Sequence, residues 1–421
     1  MKLNQSEYEN LIITDYNFRA PLDYGSQNGE NISIFVRRVS RKENSKKSMP
    51  CLIFFQGGPG YESPRPLSDS GWIKTASEVY DVILIDQRGT GLSSPISSES
   101  VLNMSDNDIA EYLTFFRADN IIKDAELFRK KLIGNKKWSV LGQSFGGFCA
   151  MTYLSFYPES LEKVFITGGI PPLKAHPDDI YRATYQRVLN KNKQFYKLFP
   201  NARLNAKRIG DYLDKNNVQL PNDDILSVKR FQQLGLNLGF SDGMATLNFL
   251  FERAFVNDKL SHYFLKQVLM MQTFDTNPLF TVLHEACYAQ GFSTEWSAQR
   301  ILNEYSEFDY KENAEFFFTG EMLYPWMLDD YSSLKPFKKA ANIIAHKKDW
   351  PVLYQEDVLE QNKVPVAAAV YTNDMYVDRE FSIKLAEKIP NMNIWETNLY
   401  EHNALRSNGK KVLDSLFKRI S

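Results

Sequence analysis

The sequence predicts an α/β protein whose central, mostly parallel sheet has helices on both faces and an all-helical cap inserted between its two parts. Residues 51–55 form a continuous apolar run, which is typical of a strand buried on both faces, and residues 81–85, apolar after Asp81, are predicted to form a second buried strand. Helical patterns separate the successive strand-like runs, and this alternation favours parallel pairing. Strand-like runs then disappear from about residue 171 to residue 345, where amphipathic, aromatic-rich segments take over. We therefore assign residues 1–170 and 346–421 to the sheet domain and residues 171–345 to the cap.

The individual strands follow from alternation and apolar content. Residues 11–18 and 31–39 alternate between apolar and polar side chains and are predicted to open the sheet as antiparallel neighbours. The remaining predicted strands are residues 51–55, 81–85, the apolar run before Gly142, 162–169, 364–371 and 392–396. An amphipathic helix through Val412 and Leu416 closes the chain.

The composition excludes several classes of protein. A length of 421 residues exceeds what one core usually supports, which agrees with a domain that carries an insertion. The formal net charge of -1 gives no reason to expect a nucleic acid or an anionic membrane as partner, and no apolar run is long enough to span a bilayer. The N-terminus lacks the apolar segment of a secretory signal. The sequence leaves the oligomeric state open.

The cysteines indicate a reducing compartment. Cys51, Cys149 and Cys287 are few, odd in number and without metal-ligand spacing. Two of them lie in predicted core elements, so buried free thiols are expected. The expected location is the cytoplasm.

A serine at a sharp turn is the strongest functional signal. Residues 142–146 read Gly-Gln-Ser-Phe-Gly and lie between a predicted strand and a predicted helix. This is the nucleophile-elbow pattern G-x-S-x-G, in which a tight turn strains the backbone of the serine and raises its hydroxyl clear of the sheet. Gly142 and Gly146 are needed because a Cβ there would collide with the neighbouring strand and helix. Ser144 is therefore the candidate nucleophile.

A serine hydroxyl needs a base, and the base needs an orienting acid. In hydrolases with this elbow the acid and the histidine follow in chain order, each after a later strand. Of the five histidines, only His402 follows the last predicted strand, so it is the candidate base. Asp374 follows the preceding strand and is the candidate acid, with Asp378 as the alternative. The competing role for Asp374 is to cap the next helix, which Asp378 could do instead.

Two backbone N–H groups must stabilise the oxyanion of an acyl-transfer intermediate. One is expected from Phe145, the residue after the nucleophile. The second is expected from residues 57–60, Gly-Gly-Pro-Gly, where the backbone can approach a substrate without side-chain interference. We assign this donor to Gly58, since Pro59 has no N–H. Gln56 is expected to buttress the loop.

Four motifs together resemble a known family. They are residues 56–60, residues 86–93 (Asp-Gln-Arg-Gly-Thr-Gly-Leu-Ser), residues 142–147, and Asp374 with Met375. In these motifs the chain is similar to the prolyl aminopeptidases (proline iminopeptidases) of the α/β-hydrolase fold. Residues 283–288 and 319–326 resemble the larger, long-chain branch of that family. Gln56 departs from the histidine that the family usually has. The loop at residues 86–89 is expected to be structural, its charges holding the oxyanion and nucleophile loops in register.

The resemblance implies a serine aminopeptidase that removes an N-terminal residue, preferably proline, from small peptides and needs no metal or organic cofactor. Such an enzyme must bind a free, positively charged α-amine, a task suited to buried carboxylates. Glu285 and Glu321, and then Glu252, are the candidates, because each lies in an apolar stretch of the cap where an uncompensated carboxylate is costly. Each could instead pair with an arginine or cap a helix.

Aromatic residues of the same motifs could form an apolar box for the pyrrolidine ring of proline. The candidates are Phe145, Tyr288, Tyr324 and Trp326. Core packing is the alternative for each of them.

Two other functions stay open. An esterase or another acyl hydrolase could use the same fold, because fold does not dictate substrate. Equal cleavage of N-acetylated and free-amine substrates would favour that function. A non-catalytic binding protein of this fold would have a broken triad, whereas Ser144, Asp374 and His402 are all present.

Overall fold

The computed structural model describes residues 1–26, 28–311 and 313–420. The strands are β1 (Lys2–Tyr8), β2 (Leu11–Pro21), β3 (Asn31–Arg41), β4 (Cys51–Phe55), β5 (Asp81–Ile85), β6 (Trp138–Gln143), β7 (Leu161–Thr167), β8 (Phe255–Val256), β9 (Lys259–Leu260), β10 (Val366–Tyr371) and β11 (Met392–Thr397). Nine of the strands in these described ranges form one sheet, in the order β1-β2-β3-β5-β4-β6-β7-β10-β11, and β8 pairs with β9.

Helices fill the connections between these strands. They are α1 (Gly71–Ser77), α2 (Asp106–Thr114), α3 (Ala118–Ile133), α4 (Phe145–Phe156), α5 (Pro177–Leu198), α6 (Pro200–Lys215), α7 (Val228–Gln232), α8 (Gly243–Glu252), α9 (His262–Met271), α10 (Pro278–Leu283), α11 (Ser297–Leu302), α12 (Met327–Asp330), α13 (Lys338–Ala345), α14 (Glu356–Leu359), α15 (Arg379–Ala386), α16 (Ala404–Ser407) and α17 (Gly409–Phe417). Several 3₁₀ turns lie between them.

The sheet confirms the predicted fold class. Strands β5, β4, β6, β7, β10 and β11 pair in parallel, while β1, β2 and β3 extend the sheet antiparallel at one edge. Strand β1 was not predicted, since every one of its side chains is exposed and no burial pattern marks it. The carboxyl ends of the parallel strands share one edge, so the loops that follow β4, β6, β7, β10 and β11 meet there.

Apolar cores cover both faces of the sheet. Within β4, Leu52 and Phe54 belong to a smaller core that includes α1 and α17, whereas Ile53 and Phe55 belong to a larger one. This alternation follows from the two-residue period of a strand, and it explains why the β4 sequence is apolar at every position. The larger core is continuous with buried residues between β7 and β10, including Val188.

The segment between β7 and β10 contains helices α5–α14 and one short hairpin, β8–β9. Strands β8 and β9 form a minimal hairpin, so the expectation of an all-helical cap is wrong in this detail. The reason is local, because Asn257 and Asp258 adopt positive φ of 48° and 57°. Positive φ at both central residues is the signature of a type I′ hairpin turn. The boundaries at residues 171 and 345 stay a prediction.

Within the described ranges, no helix combines the length and the apolar content needed to cross a bilayer. All three cysteines are buried and free of disulfides.

Candidate active site

Ser144 lies at the turn between β6 and α4 with a strained backbone, φ 54° and ψ −124°. A Cβ on Gly142 would lie 2.3 Å from the carbonyl oxygen of Gly146, and one on Gly146 would lie 1.9 Å from that of Phe55. Glycine is therefore required on both sides of the serine, as the elbow pattern predicts. The surrounding fold holds a conformation that a non-glycine residue rarely adopts.

An imidazole–carboxylate pair forms from the loops after the last two strands. His402 Nδ1 lies 2.7 Å from Oδ2 of Asp374, and both side chains are buried. The other oxygen, Oδ1, accepts hydrogen bonds from the backbone N–H groups of Tyr376 (2.8 Å) and Val377 (3.1 Å). These bonds fix the carboxylate, which in turn fixes the ring and directs the Nδ1 proton toward itself.

Asp378 has the other role considered for these two residues. Its Oδ1 accepts from the N–H of Glu380 (2.8 Å) at the start of α15, and its Oδ2 pairs with Nε of Arg187 (2.9 Å). It therefore caps α15, while Asp374 contacts the histidine.

His402 lies beside the nucleophile turn, with two glycines between them. A Cβ on Gly168 would lie 3.1 Å from Nδ1 of His402, and one on Gly169 would lie 2.2 Å from the carbonyl oxygen of Ser144. Gly168 and Gly169 directly follow β7. The absence of side chains at Gly168 and Gly169 therefore leaves room for the imidazole on one side and the elbow on the other.

Acidic groups determine the electrostatics of the imidazole. Burial alone would lower the pKa of His402, but the charge and hydrogen bond of Asp374 raise it, and Glu321 and Glu401 add to this effect. The pKa of His402 consequently lies above its usual value. The ring also packs against Tyr376, with 4.5 Å between ring centroids.

The glycine loop after β4 lies against the serine. A Cβ on Gly57 would lie 2.9 Å from Cβ of Ser144, and Gly58 adopts a φ of 138°. Phe145 is the first residue of α4, so its N–H has no acceptor within the helix. The loop is held by Nε2 of Gln87, which donates to the backbone oxygen of Gln56 (2.9 Å). The contribution of Gln56 that the structure shows is thus its carbonyl.

The loop at residues 86–89 forms a structural scaffold. Both oxygens of Asp86 accept from Arg65 (2.8 Å each), which ties down the chain that leaves the glycine loop. Arg88 makes a two-pronged ion pair with Asp124 of α3 (2.7 and 2.8 Å) and also donates to backbone oxygens at the end of β2. Arg88 therefore anchors α3 and β2 rather than the nucleophile turn.

Comparisons with known proteins agree with this arrangement. Residues 50–405 match the family model for the alpha/beta hydrolase fold. A proline iminopeptidase from Aeromonas sobria is 45% identical over 402 residues, covering 95% of each chain. Another, from Aspergillus aculeatus, is 33% identical over 417 residues, covering 96% of this chain and 92% of the relative. The chain belongs to the proline iminopeptidase family of α/β hydrolases.

A solved structure with the same family name is more distant. The crystal structure of a proline iminopeptidase from Mycobacterium smegmatis is 12% identical, with a TM-score of 0.46, and the match covers 96% of this chain and 98% of that one.

Glu321 is the cap carboxylate that lies within electrostatic range of the imidazole in this family member. Burial lowers the pKa of His402, and Glu321 adds to the opposing effect of Asp374. Burial raises the pKa of Tyr288 and of Tyr376, and Glu321 adds to that rise. Its Oε2 lies 3.4 Å from Nε2 of His284, and its side chain is 18% exposed. Glu321 is thus a partly accessible carboxylate whose charge acts on His402.

The other two predicted carboxylates have different surroundings. Glu285 is buried, and its oxygens accept from the backbone N–H groups of Ser297 (3.0 Å) and Ala298 (2.8 Å). It therefore satisfies the start of α11, and burial raises its pKa although these bonds oppose the effect. Glu252 is exposed at the end of α8 and accepts from Asn248 (3.0 Å). Glu252 is therefore not the costly buried charge that its apolar stretch predicts.

The predicted aromatic box divides into two groups. Tyr288 and Phe145 both contact the ring of Phe148, at 5.7 and 6.3 Å between centroids, beside the nucleophile turn. Tyr324 and Trp326 stack on one another (5.7 Å) and line a separate cavity of about 560 Å³. The cavity is bordered by α7 and α11.

Sequence reasoning missed His284 and Tyr376. The sequence assigned His284 only a structural role; it is buried and contacts both Glu321 and the hydroxyl of Tyr181 (3.3 Å), so it helps to position that carboxylate. Its position next to Glu285 in a family-like motif was a usable signal. Tyr376 gave no signal, because its contact with His402 depends on how the loop after β10 turns. Within the described residues, no cluster of three or more His, Cys, Asp or Glu side chains is arranged to hold a metal ion.

Proposed function

We propose that this protein is a serine aminopeptidase that releases an N-terminal residue, preferably proline, from small peptides. The observation that carries the proposal is the strained Ser144 turn placed beside the buried pair of His402 and Asp374. Relatives named proline iminopeptidase, 45% and 33% identical over nearly the whole chain, support the substrate class.

In the proposed mechanism Ser144 is the nucleophile and His402 the general base. Asp374 holds the imidazole through Nδ1, which in this mechanism keeps the proton on Nδ1 and leaves Nε2 free to take the proton of the serine hydroxyl. His402 removes the hydroxyl proton as Ser144 attacks the carbonyl of the N-terminal residue. It then passes the proton to the leaving amine, and water hydrolyses the acyl-enzyme with His402 again as base.

Gly58 and Phe145 are the proposed donors to the oxyanion. Gly57 lies against Ser144, so the next residue of its loop is in position to present an N–H to the same carbonyl. Fixed N–H donors stabilise charge that develops in the transition state without reorganising at that moment.

Glu321 is the proposed partner of the substrate α-ammonium. Its side chain is partly accessible, and its charge raises the pKa of His402. Glu285 has a supporting role, because its oxygens already accept from α11 and its charge acts on Tyr181, as that of Glu321 also does. Tyr288 contacts the ring of Phe148 and is the proposed apolar wall for the proline ring.

The cytoplasm is the proposed location, because Cys51, Cys149 and Cys287 are buried free thiols. Free thiols of this kind are the normal state in a reducing compartment.

The decisive experiment compares aminoacyl amides with free and acetylated N-termini. Wild-type protein should release proline from a prolyl chromogenic amide and leave the acetylated amide intact. S144A should lose about 10⁵–10⁶-fold in kcat, since the nucleophile is removed. Retained turnover in S144A would remove Ser144 from its role. Equal cleavage of blocked and free substrates would instead establish an acyl hydrolase without amine recognition.

Amine recognition is tested in the same assay with E321Q. Loss of a partly buried charge partner is expected to cost roughly 2–5 kcal/mol in kcat/KM on the free-amine substrate. Reaction of Ser144 with phenylmethylsulfonyl fluoride, which has no ammonium group, should change little at pH values where His402 is neutral in both proteins. E252Q is the matched control, because Glu252 is exposed, and it should behave as wild type. An E321Q enzyme with unchanged kcat/KM would overturn the assignment.

A further inference from the structure

Helix α5 of the cap reaches the loop that carries the catalytic histidine. Nζ of Lys191 lies 2.5 Å from Oε1 of Glu401, the residue directly before His402. The Lys191 side chain is 4% exposed and that of Glu401 is 23% exposed. A lysine on a long flexible stem usually places its ammonium group in water, so this burial needs a reason.

The two carboxylate oxygens of Glu401 have different surroundings. Oε1 of Glu401 is bonded to Lys191, whereas Oε2 is buried and has no hydrogen-bond partner among the described residues. Burial raises the pKa of Glu401, and the charge and hydrogen bond of Lys191 oppose that rise. Lys191 therefore favours the ionised form of this carboxylate, against the effect of burial.

The groups that act on the imidazole are mostly acidic. Asp374 comes from the loop after β10, Glu321 from the cap, and Glu401 from the same loop as His402. Lys191 offsets one of these three negative charges by direct pairing. One of the charges that act on His402 is therefore paired with a cation from α5.

We propose that Lys191 is a positioning residue, which fixes Glu401 and sets the potential at His402 so that the imidazole can act as a base at neutral pH. The inference rests on the proposed function only in giving His402 the role of base. Lys191 and Glu401 act through His402 and do not touch the reacting atoms.

The sign of each effect follows from the charges. A negative charge near the imidazole stabilises its protonated form, which cannot take the serine proton. E401Q removes such a charge and leaves Lys191 unpaired. The acid limb, the fall in activity at low pH that accompanies protonation of His402, should therefore move to lower pH. K191M leaves the charge of Glu401 unopposed at every pH at which Glu401 is ionised, so over that range the acid limb should move to higher pH. Each shift should be about half a pH unit or more, the effect of one charge several Å away at an effective dielectric constant of about 20.

The double variant K191M/E401Q removes both charges and should return the acid limb toward its wild-type position. K191R keeps the charge and should keep the wild-type limb. The matched control is K207M, which breaks the Lys207–Asp211 pair (2.6 Å) on α6 and should leave the limb in place. Thermal unfolding of every variant checks that it is folded.

Two readouts separate this inference from the proposed function. One is the pH dependence of kcat/KM on a prolyl amide, and the other is the pH dependence of Ser144 modification by phenylmethylsulfonyl fluoride. A shift in the second readout supports the inference even if prolyl amides are not cleaved. If K191M does not fold, the comparison of E401Q with the double variant decides the question.

Opposite shifts in the two single variants and their cancellation in the double variant support the proposal. A limb that moves in E401Q but not in K191M would assign the effect to Glu401 and overturn the role of Lys191. Unchanged limbs with lower unfolding temperatures would show that the pair is structural.

Discussion

Asp374 and Asp378 lie four residues apart and have different roles. Both follow β10, and the sequence alone favoured Asp374 without excluding Asp378. In the structure Asp374 contacts His402 and accepts two backbone N–H groups, whereas Asp378 caps α15 and pairs with Arg187. The difference depends on the turn after β10, which no local pattern specifies.

D374N should lower kcat/KM by about 10³–10⁴-fold while the protein stays folded. An amide at this position cannot hold the imidazole in the required tautomer or stabilise its protonated form. D378N is the matched control, since it should cost about 1 kcal/mol of stability through the weakened cap and change kcat/KM far less. Steady-state kinetics and thermal unfolding of both variants provide the check. A larger kinetic loss in D378N would exchange the two assignments.

Helix α10 shows how an element of the cap shapes the site. Gly60 has a φ of 88°, and a Cβ there would lie 2.6 Å from the backbone nitrogen of Phe280 and 2.9 Å from Cβ of Leu279. The cap therefore packs directly on the glycine loop that carries Gly58. Glycine is needed at residue 60 for its conformation and for this close approach.

G60A should destabilise the protein by roughly 2–4 kcal/mol, because backbone strain and a collision with α10 add together. The shifted loop should also lower kcat about 10–100-fold by misplacing an oxyanion donor. G291A isolates the strain, since Gly291 has a φ of 78° and a Cβ there would meet no atom within 4 Å. It should cost about 1 kcal/mol and leave kcat unchanged. Equal effects in both variants would mean that α10 does not constrain the loop.

The elements that the sequence predicted well are those whose burial imposes a pattern. Strand β4 is buried on both faces and is apolar throughout, so its position was predictable. Strand β1 is exposed on both faces, and the β8–β9 hairpin depends on two residues at positive φ. Contacts of α5 with the loops after β10 and β11 could not be predicted, because their partners are 185 to 210 residues apart in the chain.

For the molecule as a whole, chain order and strand topology made the centre of the site predictable. Parallel strands end at one edge, so motifs that follow strands are expected to converge there. Strand topology does not predict the arrangement of the cap, because its helices can pack in many ways. Glu285, Glu321 and Glu252 looked alike in sequence, yet one caps α11, one faces the site and one is exposed.

Sheet domain and cap share one continuous apolar core, and this predicts that they unfold together. Phe148 of α4, Val188 of α5 and Leu283 of α10 belong to the same buried cluster. Calorimetry should show one transition, with circular dichroism and tryptophan fluorescence giving the same midpoint. L283A should lower that midpoint through a loss of about 2–5 kcal/mol. L413A, in the core on the opposite face of the sheet, should move the same transition, whereas a cap that unfolds by itself would respond to L283A with a second, separate peak.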